Sequence, residues 1–371
     1  MKLMTILGTR PEIIRLSSVL KKADKVFEHV IVHTGQNYDY ELNEIFFKDL
    51  ELRKPDYFLS SAGSHLGETI GNLIAKSYEI IQKEKPDAVL ILGDTNSSLA
   101  AISAKRLKVP IFHMEAGNRC WDWNVPEMIN RKIVDHISDV NLPYTENSRL
   151  YLIEEGVDPQ RIFVTGSPMA EVIKEHLHKI KQSDVLTKLN IEKGKYILLS
   201  SHREENIDIE HNFIELMNAI NKIAEKYQLP IIYSVHPRSK KHIEQRNFKF
   251  HPLVQSLKPF GFVDYCHLQQ NAYAVLSDSG TLSEESAMLN FPGVLIRTST
   301  ERPEALDSGT IVLGGITEKE IVEALEIAVK LKDEKRTMNK DYFEDNVSSK
   351  VIRIIQSYTD IINRQTWQKR G

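Results

Sequence analysis

The sequence predicts an α/β protein built from two doubly wound domains, each a parallel sheet wrapped by helices. Three observations lead there. Short apolar runs alternate with amphipathic segments along the chain, the pattern of strands joined by helical crossovers. Near residues 166–169 the alternation breaks and then restarts. Polar clusters follow the apolar runs, at the strand ends where such sheets bind ligands. The 371 residues exceed the usual size of one domain, and 41% apolar residues supply a core for each of two.

Each element has its own signal. Residues 3–7 (LMTIL), 29–33, 88–92 (AVLIL), 111–113 and 139–142 read as strands of the first domain, because strands covered on both faces are continuously apolar. Helical periodicity runs over 11–22, 66–84, 97–107 and 126–136, and Pro11 suits the first turn of a helix, where its missing N–H goes unused. The second set of strands is 196–200, 231–235, 274–277 and 293–296, with helices over 209–227, 280–288 and 318–331. A Gly-Ser-Pro break at 166–168 marks the hinge, giving Rossmann-like domains of 1–167 and 168–346 and a helical tail over 347–371. The two domains are expected to face one another across a cleft lined by their strand ends.

Composition excludes several classes. The 48 Lys and Arg against 51 Asp and Glu leave a formal charge of −3, too balanced for a surface that coats nucleic acid. Two cysteines, Cys120 and Cys266, make neither a disulfide framework nor a four-cysteine zinc site. The apolar start ends at Gly8, too soon for a signal peptide. Purely apolar runs reach about five residues, where a bilayer span needs ~20. A soluble, cytoplasmic protein with no membrane or nucleic-acid partner is expected.

The chemistry collects after the strands. Gly8-Thr9-Arg10-Pro11-Glu12 closes the first strand and opens a helix, whose free N–H groups favour an anion and whose Arg10 suits a phosphate. The alternative is an ordinary strand–helix turn with a surface arginine. The spacings of a dinucleotide fingerprint and of a P-loop are absent. Gly93-Asp94-Thr95 follows the most apolar strand, where Asp94 by itself reads as a helix cap. His113-Met114-Glu115-Ala116-Gly117-Asn118-Arg119 comes next, with His113 and Glu115 two apart and so expected on one side of a strand. Pro126-Glu127 then opens the helix carrying Asn130 and Arg131. Asp94, Glu115 and Glu127 thus form a candidate trio for removing and returning a proton, since neighbouring like charges separate their pKa values. A metal site is the rival reading, ranked lower because no HxH, HExxH or DxD spacing joins these residues.

In the second half, Ser201-His202-Arg203-Glu204-Glu205-Asn206, His236-Pro237-Arg238 and Ser277-Asp278-Ser279-Gly280-Thr281 each sit between a strand and a helix. Ser279 and Gly280 read as an anion cradle at a helix N-terminus, and Glu285 as an acceptor for sugar hydroxyls. One by one, capping explains each. Together they put phosphate-compatible turns in both halves, which points to a nucleoside diphosphate. Thr300-Glu301-Arg302-Pro303-Glu304 adds a charged loop.

On these residues the chain resembles the non-hydrolysing UDP-N-acetylglucosamine 2-epimerases over nearly its full length. The matching strings, in order, are GTRPE (8–12), GDT (93–95), HMEAG (113–117), Pro126-Glu127 with Asn130-Arg131, SHR (201–203), DSG (278–280) with Glu284-Glu285, and TERPE (300–304). The resemblance implies a GT-B-like fold with the site in the interdomain cleft, a final helix returning to the first domain, and a homodimer. It implies that Arg10 binds the diphosphate, that His202 also reaches the phosphates, that Ser279 and Gly280 cradle them, and that Glu285 holds the ribose. Asp94, Glu115 and Glu127 match the carboxylates proposed for acid–base work, and Arg119 is taken as a further substrate contact. The implied reaction inverts C2 of a UDP-linked 2-acetamido sugar through elimination and re-addition of UDP, with no nicotinamide or other cofactor. Which carboxylate is the base stays open.

The chain also departs from the GlcNAc enzymes of that family. It has Arg15 for a lysine, Glu204 for a second arginine, Gly117-Asn118-Arg119 for GLR, a shorter loop at Cys120-Trp121-Asp122-Trp123, and Thr34-Gly35-Gln36-Asn37-Tyr38-Asp39 for a regulatory TAQHR. HMEAGNRC and HREEN look like the branch that converts UDP-2-acetamido-2,6-dideoxy-L-talose to UDP-N-acetyl-L-fucosamine for capsule or O-antigen synthesis. A missing 6-hydroxyl favours an apolar lining, which Trp121 or Trp123 would supply unless they only pack. Three alternatives stand beside this branch: a UDP-GlcNAc 2-epimerase, a GT-B glycosyltransferase requiring an acceptor, and a UDP-sugar-binding protein without turnover.

Overall fold

Two six-stranded sheets, parallel throughout, carry the chain in this computed structural model, which describes residues 1–35, 40–334 and 339–369. Of the segment 34–39, which departs from the regulatory TAQHR of the GlcNAc enzymes, residues 36–39 lie outside the described range. The first sheet holds β1 (Lys2–Leu7), β2 (Glu28–His33), β3 (Tyr57–Phe58), β4 (Ala88–Leu92), β5 (Ile111–Met114) and β6 (Val140–Leu142), in the order β3-β2-β1-β4-β5-β6. The second holds β7 (Ile197–Ser200), β8 (Ile231–Ser234), β9 (Val254–Leu257), β10 (Ala274–Ser277), β11 (Gly293–Leu295) and β12 (Ile311–Leu313), in the order β12-β11-β10-β7-β8-β9. Counted from each sheet's own first strand, the two orders are the same. In both, the winding reverses between the first and fourth strands, which opens a crevice at the carboxyl ends of β1 and β4, and again of β7 and β10.

The two doubly wound α/β domains expected from the sequence are therefore present. Three strands were not anticipated: β3, β9 and β12. All are edge strands. An edge strand is short or half-exposed and lacks the continuous apolar run of a central one; β9, for example, is VQSL with no buried residue. The helix expected over 97–107 divides into a 3-10 turn, Asn96–Leu99, and a helix, Ala100–Arg106.

Contacts divide the chain into a first unit, Met1–Glu175 together with the segment from Lys340 onward, and a second, His176–Asn339. The passage falls inside helix Met169–Gln182, beyond the break expected at 167/168, because that helix runs on through the boundary. Each unit has its own core. Met4, Ile6, Val89, Ile91, Leu99 and Val134 anchor the first; Ile197, Leu199, Phe213, Leu276 and Leu325 anchor the second. Helix Val347–Gln365 buries Val351, Ile355 and Ile362, an i, i+4, i+11 stripe, and packs on helix Arg10–Val26. There Lys22 Nζ donates to Ser349 Oγ at 2.6 Å, and elsewhere the Ser348 N–H donates to Glu171 of helix Met169–Gln182 at 2.8 Å. Among the described residues no helix is long and apolar enough to cross a membrane.

Candidate functional site

In each unit, turns singled out from the sequence follow the two strands between which the winding reverses. In the first, Gly8 to Arg10 follow β1, Gly93 to Thr95 follow its neighbour β4, and Glu115 follows β5. β5 ends at Met114, and Glu115 adopts φ 62°, a left-handed backbone that is costly for a non-glycine residue and concentrates at functional positions. Strand alternation therefore does not govern Glu115, although both it and His113 border Gly93. Two residues on, Gly117 has φ 81°, and a Cβ there would stand 2.3 Å from Ser148 O, so only glycine fits.

The bend sets the carboxylate against helix Arg10–Val26. Arg15 Nη1 pairs with Glu115 Oε2, both side chains being buried, and Asn118 Nδ2 donates to Oε1 at 3.3 Å. A Cβ on Gly93 would lie 3.2 Å from Glu115 Oε2, so this carboxylate borders the turn that carries Asp94. Asp94 Oδ2 receives Arg131 Nε at 2.7 Å and Nη2 at 2.6 Å, while Asn130 Nδ2 donates to Asp94 O at 2.8 Å. Arg131 lies one turn past Glu127 on helix Glu127–Ile137, which ties the helix opened by Glu127 to Asp94. The structure thus brings Asp94 and Glu115 to adjoining turns at one end of the first sheet, and Glu127 opens the helix whose Arg131 holds Asp94. Arg10 begins its helix nearby, half-buried, its guanidinium 5.7 Å from the Phe46 ring centroid.

His113 and Arg119 serve a different purpose. His113 is fully buried, with Nε2 2.8 Å from Gly93 O and Nδ1 2.9 Å from Asp135 Oδ1. Burial opposes charge on the ring, yet Asp135 and the Gly93 carbonyl outweigh it and hold the imidazole above its ordinary value. Asp135 Oδ2 lies 2.8 Å from Arg119 Nη1, and Arg119 Nη2 lies 2.7 Å from Glu155 Oε2, which also pairs with Lys132. Arg119 Nε donates to Glu155 at 2.9 Å and Nη1 to Asn118 O at 2.8 Å. Buried and committed to these acceptors, Arg119 is an internal brace, which corrects the expectation of a substrate contact. Among the described residues no group of three or more His, Cys, Asp or Glu is arranged to hold a metal ion.

The second unit repeats the plan with other residues. Ser200 of β7 lies opposite Ser277 of β10, and the turns beyond them share one carboxylate. Asp278 Oδ2 accepts from Ser201 Oγ at 2.6 Å, His202 N at 2.8 Å, Arg203 N at 2.9 Å and Asn206 Nδ2 at 3.2 Å. His202 Nδ1 stands 3.2 Å from Oδ1. Burial would raise Asp278, but the His202 ring and these donors overcome it and hold the carboxyl far below its ordinary range. The His202 side chain keeps 38% of its surface exposed and lies 5.6 Å from the His236 ring. Ser279 N–H donates to Ser277 Oγ at 3.1 Å, and a Cβ on Gly280 would stand 2.5 Å from Glu301 Oε1. Glu285 is nearly buried and accepts from Gln269 Nε2 at 2.5 Å. The loop 300–304 turns inward: Arg302 faces Glu284 at 3.1 Å, and Glu301 faces Arg297 at 2.7 Å.

Asp278 and Asn206 are the organisers that sequence reasoning passed over. The signal available was an acidic residue directly after a strand with an amide three residues past His202-Arg203. Asp278→Asn is expected to cost about 1.5–3 kcal/mol, the worth of hydrogen bonds to a charged acceptor. A carboxyl depressed by folding stabilises above its ordinary value of 3.8 and loses that contribution as pH falls toward the depressed value. Urea unfolding of both proteins, followed by circular dichroism from about pH 3 to about pH 7, should show a shallower acid slope for the variant.

With this geometry in view, the comparisons with known proteins agree with one another. A family model described as UDP-N-acetylglucosamine 2-epimerase matches residues 20–356. A UDP-N-acetylglucosamine 2-epimerase homolog of Methanococcus maripaludis is 38% identical over 365 residues, covering 96% of this chain and 100% of that one. The structure of UDP-N-acetylglucosamine 2-epimerase from Rickettsia bellii superposes with a TM-score of 0.91 at 46% identity, covering 100% of both chains. That of Methanocaldococcus jannaschii UDP-GlcNAc 2-epimerase, in complex with UDP-GlcNAc and UDP, superposes at 0.90 with 34% identity over 96% of this chain and 100% of that one. The chain therefore belongs to the UDP-N-acetylglucosamine 2-epimerase family.

Proposed function

We propose that the protein inverts C2 of a UDP-linked 2-acetamido sugar, taking UDP-2-acetamido-2,6-dideoxy-L-talose to UDP-N-acetyl-L-fucosamine for surface polysaccharide synthesis. In this reading it acts in the cytoplasm as a homodimer. The C2 proton passes to a carboxylate, the C–H electron pair becomes the C1–C2 double bond, and the C1–O bond breaks with its electrons leaving on UDP. Re-addition from the opposite face of C2 restores both bonds, so the cycle is redox-neutral. The observation that carries the reading is the pair Asp94 and Glu115 on adjoining turns, each beside its own arginine. Two faces of one carbon call for more than one acid–base group, and Glu127 is the third candidate. In the first unit, Arg10 is read as a diphosphate contact beside the acid–base groups. In the second, His202, Ser279 and Gly280 are read as phosphate contacts and Glu285 as a ribose contact. A positioned acid or base contributes ~10²–10⁴-fold; stabilising charge on the departing diphosphate supplies much of the remainder.

Support for the 6-deoxy substrate comes from HMEAGNRC and HREEN and from the loop carrying Trp121 and Trp123, which expose 58% and 65% of their surfaces. A second reading, UDP-GlcNAc as substrate, is favoured by the names of the relatives. Incubating the protein with each sugar nucleotide in D₂O separates them. Deuterium at C2 of the deoxy sugar is the expected result. Deuterium at C2 of UDP-GlcNAc only would select the second reading, and none in either would overturn the reaction.

A further inference from the structure

We propose that Glu12 is a positioning residue whose buried carboxyl group locks the turn offering Arg10 to the turn offering Asp94. The proposal rests on the reaction proposed above for its catalytic consequence and on geometry for the lock itself. Glu12 Oε2 accepts from Gly8 N at 3.0 Å, Thr9 Oγ1 at 2.8 Å and Ser97 Oγ at 3.4 Å; Oε1 accepts from Thr95 Oγ1 at 3.3 Å. Gly8 and Thr9 lead directly into Arg10, and Thr95 directly follows Asp94. One side chain therefore holds the residues beside a phosphate-binding candidate and beside an acid–base candidate.

Helix capping accounts for only half of this. A capping glutamate serves its own first turn and sits at the surface, which would explain Gly8 and Thr9. Thr95 and Ser97 belong to the turn after β4, and Glu12 is 1% exposed. The second unit has the same device at the equivalent crevice, where Asp278 after β10 binds the turn after β7. The bridging carboxylate comes from opposite sides of the crevice in the two units, from unrelated residues. Each pair of turns thus has its own bridging carboxylate.

Burial pushes the Glu12 carboxyl up to about 7 against the pull of its four donors. The charged groups around it have other partners. On its own helix Arg10 lies over Phe46 and Arg15 pairs with Glu115; after β4 Asp94 pairs with Arg131, and on β5 His113 pairs with Asp135. His33, at the end of β2, is pushed down by burial to about 4 and is neutral near pH 7. Across neutrality Glu12 thus passes from an acid, which must keep its proton on one oxygen, to a carboxylate that accepts from all four donors at once. The lock tightens as pH rises.

Three variants of the full chain test this: E12A, E12Q and, where E12A folds poorly, T95V. In E12Q the amide oxygen takes the place of Oε2 and the NH₂ group donates to the Thr95 hydroxyl, so the shape survives and the charge does not. E12A is expected to lower kcat and raise KM by about tenfold each, since it frees both turns. T95V should lower kcat by about threefold. E12Q should match the wild type near about pH 6 and fall about fivefold behind it in kcat/KM near about pH 8. Amide hydrogen exchange gives a readout that needs no substrate: the Gly8 and Ser97 amides should both speed up by about tenfold or more in E12A or T95V. Loosening of one turn without the other, a constant E12Q ratio across pH, or a loss of thermal stability with kcat and KM within about twofold would overturn the proposal. Absence of C2 exchange in the wild type would overturn the reaction instead and leave the exchange test to judge the lock.

Discussion

Glu115→Gln lowers C2 deuterium exchange by about 10²–10⁴-fold, the contribution of a positioned acid or base, while the affinity for UDP stays within about threefold. Asp94→Asn behaves the same way, because both groups meet the transferred proton in the proposed reaction and neither meets the diphosphate. Glu115 carries an added consequence. Its carboxylate, carried on a left-handed backbone at φ 62°, pairs with buried Arg15. The amide loses charge opposite a buried guanidinium, so the first unit also becomes less stable. Arg10→Ala shows the opposite kinetic signature, a weaker KM with a smaller change in kcat, since a phosphate contact acts on binding. Calorimetry with UDP and mass-spectrometric deuterium counting on the same preparations separate the two classes. Exchange above about a tenth of the wild-type rate in Glu115→Gln would remove it from the proton chemistry.

Asp135→Asn destabilises the first unit by about 3–5 kcal/mol, the cost of removing one member of a buried charge set. Asp135 is the anion between His113 at 2.9 Å and Arg119 at 2.8 Å, and all three side chains are fully buried. Burial raises Asp135, but His113 and Arg119 outweigh it and leave its carboxyl below the ordinary 3.8. Its contribution is present above that value and is lost as pH falls through the depressed one; His113, raised above 6.5, contributes below 6.5 and loses its share as pH climbs through the raised value. The difference between wild type and variant should therefore be widest between those limits. Tryptophan fluorescence reads the first unit cleanly, because Trp121, Trp123 and Trp367 all belong to it. Adding Arg119→Met to Asp135→Asn should recover part of the loss, as a neutral side chain replaces the stranded cation. A urea midpoint unchanged by Asp135→Asn would show that the network is not stabilising.

How much of this was legible in the residues depends on range. AVLIL announces a central strand wherever it occurs, and the helix over 66–84 matches its observed bounds because its pattern is long and Lys85 closes it in a left-handed turn. The edge strands β3 and β9 escaped because their partners lie on one side only, so nothing forces a continuous apolar run. In the site, the turns after strands could be read because they are local. The fate of Arg119 could not, since its acceptors Asp135 and Glu155 lie on other elements and meet it only through folding. The bridging role of Glu12 was hidden for the same reason: the half of its hydrogen bonding that matters reaches the turn after β4. Burial, which moves its carboxyl to about 7, is a property of the packed unit that no motif displays.

The return of helix Val347–Gln365 onto helix Arg10–Val26 has a practical side for protein engineers. A gene fragment stopped at Glu175 would leave helix Arg10–Val26 without the helix packed on it and the Glu171 carboxylate without its Ser348 donor. Producing that half by itself calls for keeping the segment from Lys340 onward, and because the boundary at 175/176 divides helix Met169–Gln182, either half is better cut at an end of that helix.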